Sequence, residues 1–323
     1  MSDIRPEYET LWPKKSRWLR PVRRWLQYWL ARGALALANR LSLSTLQRIG
    51  RTLGLLVYRF GQTERAVCEH QLAKALPELS AVERAHIAHD CFANLGTTAM
   101  EALALPRLGR DPGPWLVLEN ESVLRDAFAR GKGLILVTCH SGNWELLNIV
   151  VNLLQIPSLA IAKPLSNPRL NELLLAARRS PYMEVMQRGT KDSPRQFLTA
   201  LKQGKAVILL IDQDIDAQSV YVDFFGVPAR TPRVAASLAL RLNVPVITGF
   251  DRRLSDGRHI VRFAEVPVTE AIRSEENPDR AFTQAITATI EAHVRAWPAQ
   301  WAWNHRRWLH PPEEEATSAA VSS

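Results

Sequence analysis

The stretch LILVTCHSGNWELLN, residues 134–148, decides how this chain is read. Six apolar or small residues run into His140, Ser141, Gly142 and Asn143, and then the pair Trp144–Glu145. A continuous apolar run bounded by a Gly turn predicts a strand buried on both faces. A helix is predicted to begin near Asn143. Strand, turn and helix in that order form the unit of an α/β sheet, in which ligands bind beyond the carboxyl ends of the strands. His140 is therefore expected at the sheet's C-terminal edge, beside a helix N-terminus.

The distance from His140 to Glu145 bears on chemistry. On one continuous helix, residues five apart point about 140° away from each other. With His140 in the turn and Glu145 in the first helical turn, the chain can fold the carboxylate back toward the imidazole. Glu145 would then accept from one ring nitrogen and fix the tautomer, leaving the other nitrogen as a general base. The competing reading is a structural histidine at a strand end. Nucleophilic readings are weaker, because Ser141 lacks the G-x-S-x-G elbow and Cys139, as the last strand residue, reads as core.

Outward from this stretch the texture is regular. Strands are predicted at 134–139, 158–162, 206–211, 245–250 and 259–264. Helices are predicted at 121–130, 143–154, 168–179, 194–203, 232–243 and 279–296. Residues 42–110 read as helical, with Ser80 and Glu83 spaced as a capping box. The expected fold class is α/β: a mostly parallel central sheet covered by helices on both faces, with an N-terminal helical, membrane-associating segment. Three units follow: residues 1–60, an α/β domain over 61–310 that is helical at 61–110, and a disordered tail over 311–323.

Two further groups fall at strand ends. In LLIDQDIDAQSVYVDFFGVPARTP, residues 209–232, Asp212 and Asp214 follow a buried-looking strand. With only Asp216 nearby as a further ligand, positioning a cation or a substrate hydroxyl is preferred to metal binding. Lys163, Arg178, Arg179 and Arg188 form a basic group at or near the strands that follow His140, suited to a phosphate or an oxyanion.

The net charge of +9 is unevenly spread. Residues 1–60 hold 12 Lys+Arg against 3 Asp+Glu, which accounts for all of it, since 29 basic and 29 acidic groups remain. From Arg17, Trp18, Val22, Trp25 and Trp29 recur at helical spacing, widened by Leu19, Leu26 and Leu30, with Arg17, Arg20 and Arg24 between them. Basic charge interleaved with Trp and Leu is the composition of an interfacial membrane helix. A helix packed on its own domain is the alternative. Arg32 and Arg40 interrupt the apolar run, each costing about 2.5–3.5 kcal/mol at mid-membrane, so a helix lying on the cytoplasmic leaflet is favoured over a span. The segment does not read as a cleavable signal peptide. No zinc-finger, homeodomain-like or RNA-binding signature accompanies it, so nucleic acid is not an expected partner. Cys68, Cys91 and Cys139 show no metal-ligand spacing and fit a reducing compartment.

These pieces together resemble the lysophospholipid acyltransferase superfamily, and within it the lipid A late-acyltransferase branch. The resemblance rests on HSGNWE at 140–145, KPLSNP at 163–168, Arg178 ten residues beyond Pro168, DQD at 212–214 followed by FFGVPARTP at 224–232, and WPAQWAWNHRRW at 297–308. It spans about residues 15–310. Lys163 stands where many members carry Arg, so a point charge replaces a bidentate fork. The resemblance implies an acyl carrier protein thioester as donor, a hydroxyl of a lipid A precursor as acceptor, and work at the cytoplasmic face of the inner membrane without metal or cofactor. His140 and Glu145 become the catalytic candidates. Arg178, Asp212, Lys163, Arg188, Asn143, Asp214 and Thr231 become candidates for substrate or oxyanion contacts. The sibling reading is acylation of another glycolipid or aminolipid. The rivals from other classes are a membrane-bound thioesterase or lipid hydrolase and a non-catalytic membrane scaffold.

Overall fold

The computed structural model describes residues 20–187 and 193–312. Arg188, and Arg17, Trp18 and Leu19 of the basic arm, lie outside the described residues, as does the expected tail from 313 onward. The described residues open with four helices: α1 (Arg20–Ala38), α2 (Leu43–Phe60), α3 (Gln62–Ala75) and α4 (Ala81–Leu108). The capping box at the start of α4 forms, with the Ser80 N–H donating to Glu83 Oε2 at 2.7 Å and the Glu83 N–H to Ser80 Oγ at 3.3 Å. Gly61 forms the turn between α2 and α3. Helix α2 packs along α4 through Gly50, Gly54 and Gly96, which bring the two backbones together. A Cβ on Gly54 would run into the Phe92 carbonyl, and one on Gly96 into the Gly50 carbonyl.

The α/β portion continues as β1 (Leu116–Glu119), α5 (Glu121–Ala129), β2 (Leu134–Thr138), α6 (Leu146–Leu153), β3 (Ser158–Ala162), α7 (Pro168–Arg178), β4 (Met183–Gln187), α8 (Ser193–Lys202) and β5 (Ala206–Leu210). A hairpin follows, β6 (Ser219–Phe224) and β7 (Val227–Pro232). Then come α9 (Val234–Leu242), β8 (Val246–Arg253), β9 (His259–Val266), α10 (Glu270–Ser274) and α11 (Pro278–Ala296). Seven strands form one sheet in the order β1-β9-β8-β2-β5-β3-β4. Strands β8, β2, β5, β3 and β4 are parallel. Strand β9 pairs antiparallel with β8, and β1 runs parallel with β9.

The expected mostly parallel sheet is present, with particular departures. Segment 259–264 is a strand, but it returns antiparallel. Strands β1 and β4 were absent from the sequence prediction because they are the two sheet edges. An edge strand is covered on fewer sides and carries a mixed pattern, as MEVMQ does in β4. The helix expected from 143 begins at Leu146, because residues 140–145 form a tightly bonded turn. The β6–β7 hairpin turns at Phe225 and Gly226, both at positive φ (61° and 72°), the geometry that matches strand twist in a two-residue loop. Apolar residues on the two sheet faces form two core clusters, one with Ile135, Val137 and Val207 and the other with Leu134, Leu136 and Ile208.

Gly96→Ala should test the helix crossing. A methyl driven between two packed backbones is expected to lower unfolding free energy by about 1–3 kcal/mol, read as a lower thermal midpoint than the native chain. A midpoint equal to the native one would show that α2 can move off α4 freely.

Candidate active site

Strand register builds the centre of the site. Thr138 at the end of β2 is opposite Leu210 at the end of β5. Two residues further on each strand stand His140 and Asp212. Asp212 is 2% exposed, and its carboxylate accepts three hydrogen bonds. His140 Nδ1 lies 2.8 Å from Oδ1, and the His140 backbone N–H donates to Oδ2 at 2.7 Å. The Trp301 indole N–H also donates to Oδ2, at 2.8 Å. Burial alone would push this carboxyl up. The His140 imidazole and the three donors outweigh it and hold it at about 2. An ionised carboxylate at Nδ1 places the ring proton there and leaves Nε2 with its lone pair.

The backbone on either side of His140 is fully engaged. Its carbonyl accepts from Ala302 N–H at 2.9 Å, and Gly142 N–H donates to the Gln300 carbonyl at 3.0 Å. Gly142 sits at φ 59°, with the Asp251 backbone and carboxylate where a Cβ would be, so this position requires glycine. Ser141 is 1% exposed and its hydroxyl bonds to His293 Nε2 at 3.1 Å. Burial holds His293 down to about 4, so it faces Ser141 as a neutral ring. The Trp144 indole meets the His140 ring edge-on, with centroids 4.9 Å apart. Cys139 is buried, and burial pushes its thiol well above its ordinary value, so it is part of the core.

The sequence reading paired Glu145 with His140, and the structure corrects this. Glu145 Oε2 accepts from Arg178 Nε at 2.8 Å, and its other oxygen from Arg178 Nη2, a bidentate fork. Asp212 holds the place at the imidazole instead. Glu145 pushes the Arg178 guanidinium above its ordinary value against the opposing effect of burial. His140, Glu145, Arg178 and Lys163 all line one cavity of about 330 Å³. Asn143, Asp214 and Thr231, expected at substrate, are turned into the protein. Asn143 is 0% exposed and its amide donates to Glu101 at 2.9 Å. Asp214 faces Arg230 at 3.3 Å and accepts from the His310 backbone N–H at 3.0 Å. Thr231 accepts from Arg307 and donates to the Ala229 carbonyl at 3.0 Å. Among the described residues, no group of three or more His, Cys, Asp or Glu is placed to hold a metal ion.

The cavity descends from His140 along one face of the sheet. Register aligns its strand residues in layers: Thr138, Leu210, Ala162 and Gln187 at the C-terminal edge, then Ile208, Ala160 and Val185, then Met183. From Gln187 to Met183 this is about 13 Å of strand. The two alanines of β3 leave a groove, which Leu147 of α6 and Leu174 and Leu175 of α7 wall on the other side. The result is a polar mouth over an apolar interior. The rim segment 163–167 is tied to α1: Arg24 Nη2 donates to the Ser166 carbonyl at 2.6 Å and Asn167 Nδ2 to the Arg24 carbonyl at 2.8 Å.

The family described as bacterial lipid A biosynthesis acyltransferase matches residues 12–310. The chain belongs to this family. It is 27% identical over 304 residues to the lipid A biosynthesis lauroyltransferase of Escherichia coli K12, covering 93% of this chain and 97% of that protein. It is 27% identical over 184 residues to a lipid A biosynthesis acyltransferase of Haemophilus influenzae, covering 56% and 55% of the two chains. A phosphatidylinositol mannoside acyltransferase of Mycolicibacterium smegmatis is 26% identical over 221 residues, covering 67% of this chain and 70% of its own. As a member of an acyltransferase family, the chain is an acyltransferase.

The residue that sequence reasoning missed at this site is Trp301. Its only trace there was the WPAQWAWNHRRW segment, which carried no assigned role. Trp301→Phe removes one donor from a buried carboxylate and should lower stability by about 1.5–3 kcal/mol at neutral pH, measured by denaturant titration. Asp212 has a depressed folded value, so its stability is present above the unfolded value near 3.8 and is lost as pH falls toward 2. In the variant the carboxyl lies closer to its unfolded value, so the acid-sensitive part of the stability should be smaller and its loss complete at a higher pH.

Proposed function

We propose that this acyltransferase moves a fatty acyl chain from an acyl carrier protein thioester to a hydroxyl of a lipid A precursor, at the cytoplasmic face of the inner membrane. The observation that carries the reading is a His140–Asp212 pair at the mouth of an apolar cavity whose rim holds Lys163 and Arg178.

Asp212 keeps the proton on Nδ1, so Nε2 accepts the proton of the acceptor hydroxyl. The oxygen attacks the thioester carbonyl, an ester bond forms and the carbon–sulfur bond breaks. The departing thiolate takes the proton back from the imidazolium. The acyl chain lies in the groove over Ala160 and Ala162. Arg178, held by Glu145, and Lys163 supply cationic charge at the mouth for the carbonyl oxyanion and the headgroup phosphate. Glu145 acts by orienting Arg178 rather than His140.

The membrane reading rests on α1. Val22, Trp25, Leu26, Trp29, Leu30 and Leu37 are exposed along this helix, with Arg23, Arg24 and Arg32 interspersed. Among the described residues no helix is long and apolar enough to cross a membrane. An amphipathic helix in the interface plane fits both facts. Its tie to segment 163–167 supports the reading that the acceptor's acyl chains lie beside the cavity mouth.

His140→Ala and Asp212→Asn should each lower kcat by about 100–10,000-fold. The assay mixes purified protein, acyl carrier thioester and lipid A precursor. Acylation of a phosphatidylinositol mannoside in place of the lipid A precursor would redirect the acceptor assignment. Release of free fatty acid alone would make the chain a thioesterase. Ala160→Leu fills the groove midway, and mass spectrometry of the product lipid should shift toward shorter acyl chains. An unchanged chain-length distribution would place the acyl chain elsewhere.

A further inference from the structure

Behind the turn that carries His140, on the side away from the cavity, lies a cluster of buried charge. Glu101 of α4 is 1% exposed, Asp251 of β8 4% and His259 of β9 0%, and the Arg253 side chain is 11% exposed. His259 Nδ1 lies 2.8 Å from Asp251 Oδ2, and its Nε2 lies 3.2 Å from Glu101 Oε1. A ring facing a carboxylate at each nitrogen carries a proton on both. Burial opposes that charge, but Asp251 and Glu101 outweigh it and raise His259 to about 9. Arg253 Nη2 reaches Glu101 Oε2 at 2.7 Å. Two anions and two cations leave the cluster neutral.

Stability gives a weak reason for such a cluster, since well-packed apolar residues of the same volume are often at least as stable. The hydrogen bonds leaving it give a stronger one, because they converge on residues 142 and 143. Asp251 Oδ2 accepts from the Asn143 backbone N–H at 2.7 Å. Glu101 Oε2 accepts from the Asn143 side chain at 2.9 Å. Arg253 Nη2 donates to Thr98 Oγ1 at 2.9 Å, and that hydroxyl donates to the Gly142 carbonyl at 2.7 Å. From Asn143 the hold passes forward, because its Oδ1 accepts the Glu145 N–H at 3.2 Å.

We propose that Glu101, Asp251, His259 and Arg253 form a neutral positioning cluster that fixes the 140–143 turn, and with it the orientation of His140 and the start of the Glu145–Arg178 fork, so that the cluster sets kcat rather than substrate affinity. None of the four lines the cavity, so they act through the turn and do not touch substrate. The inference rests on His140 being the general base. A misplacement on the order of 1 Å at a reacting group lowers rate by about 100-fold, so small shifts of the turn are enough to be read.

The test uses the full chain with acyl carrier thioester and lipid A precursor, well below each variant's unfolding midpoint. Asp251→Asn should lower kcat by about 10–100-fold, with KM for the thioester within about twofold. Thr98→Val keeps all four charges and nearly the same volume, so it decides the matter if Asp251→Asn does not fold. It should lower kcat by about 5–10-fold at unchanged KM. His259→Gln alone should behave like Asp251→Asn, and adding Glu101→Gln, which restores neutrality, should recover most of the lost kcat. Native kcat per folded molecule in Thr98→Val, or a fall in kcat matched by a rise in KM, would overturn the proposal. His140→Ala is run alongside: activity surviving there removes the base assignment itself, whereas its loss beside an unimpaired Thr98→Val removes only the positioning role.

Discussion

A carboxylate buried as deeply as Asp212 is tolerable only when donors surround it, because an unpaired buried charge costs several kcal/mol. Its three donors come from two distant parts of the chain. His140 supplies two and Trp301 the third. Satisfying this one group forces β2 and β5 to be neighbours in a fixed register and forces the segment after α11 to cross over the end of β2. The tautomer of His140 follows from that requirement, and so does one of the anchors that hold its ring in place.

The parts of this arrangement legible in the sequence were those written in local pattern. The apolar run 134–139 and the Gly turn placed His140 at the sheet's C-terminal edge, and the same logic placed Asp212 and Lys163 there. The identity of the imidazole's partner was not local. It depends on β5 lying beside β2, with β3 and β4 beyond it, although β3 follows β2 in sequence. Glu145 was the nearest acid along the chain and Asp212 the nearest in space. Asn143, Asp214 and Thr231 lie in family-like blocks, but residues in such blocks can serve the scaffold as readily as the substrate. Here their polar atoms are consumed by Glu101, by Arg230 and His310, and by Arg307.

The helical layer serves the site from behind. Helix α4 brings Thr98 and Glu101 to the turn, and its close glycine-mediated contact with α2 fixes where those residues stand. On the outer side, α1 is bonded to the cavity rim through Arg24, Ser166 and Asn167. One face of the turn thus meets an internal ionic lattice, and the opposite side opens to the cavity beside the helix proposed to touch lipid. Rigid support and access are supplied by different layers.

The bonds from Gly142 to Gln300 and from His140 to Ala302 join residues about 160 positions apart in sequence. Contacts of that separation are made late, since each requires a long loop to close before it is rewarded. Closing the turn that bears His140 therefore includes the loop-closure cost of joining the two ends of the α/β portion. The backbone around His140 is thereby tied to the segment that follows α11 as well as to β5, so loosening residues 300–302 would release the turn while the apolar groove stays intact.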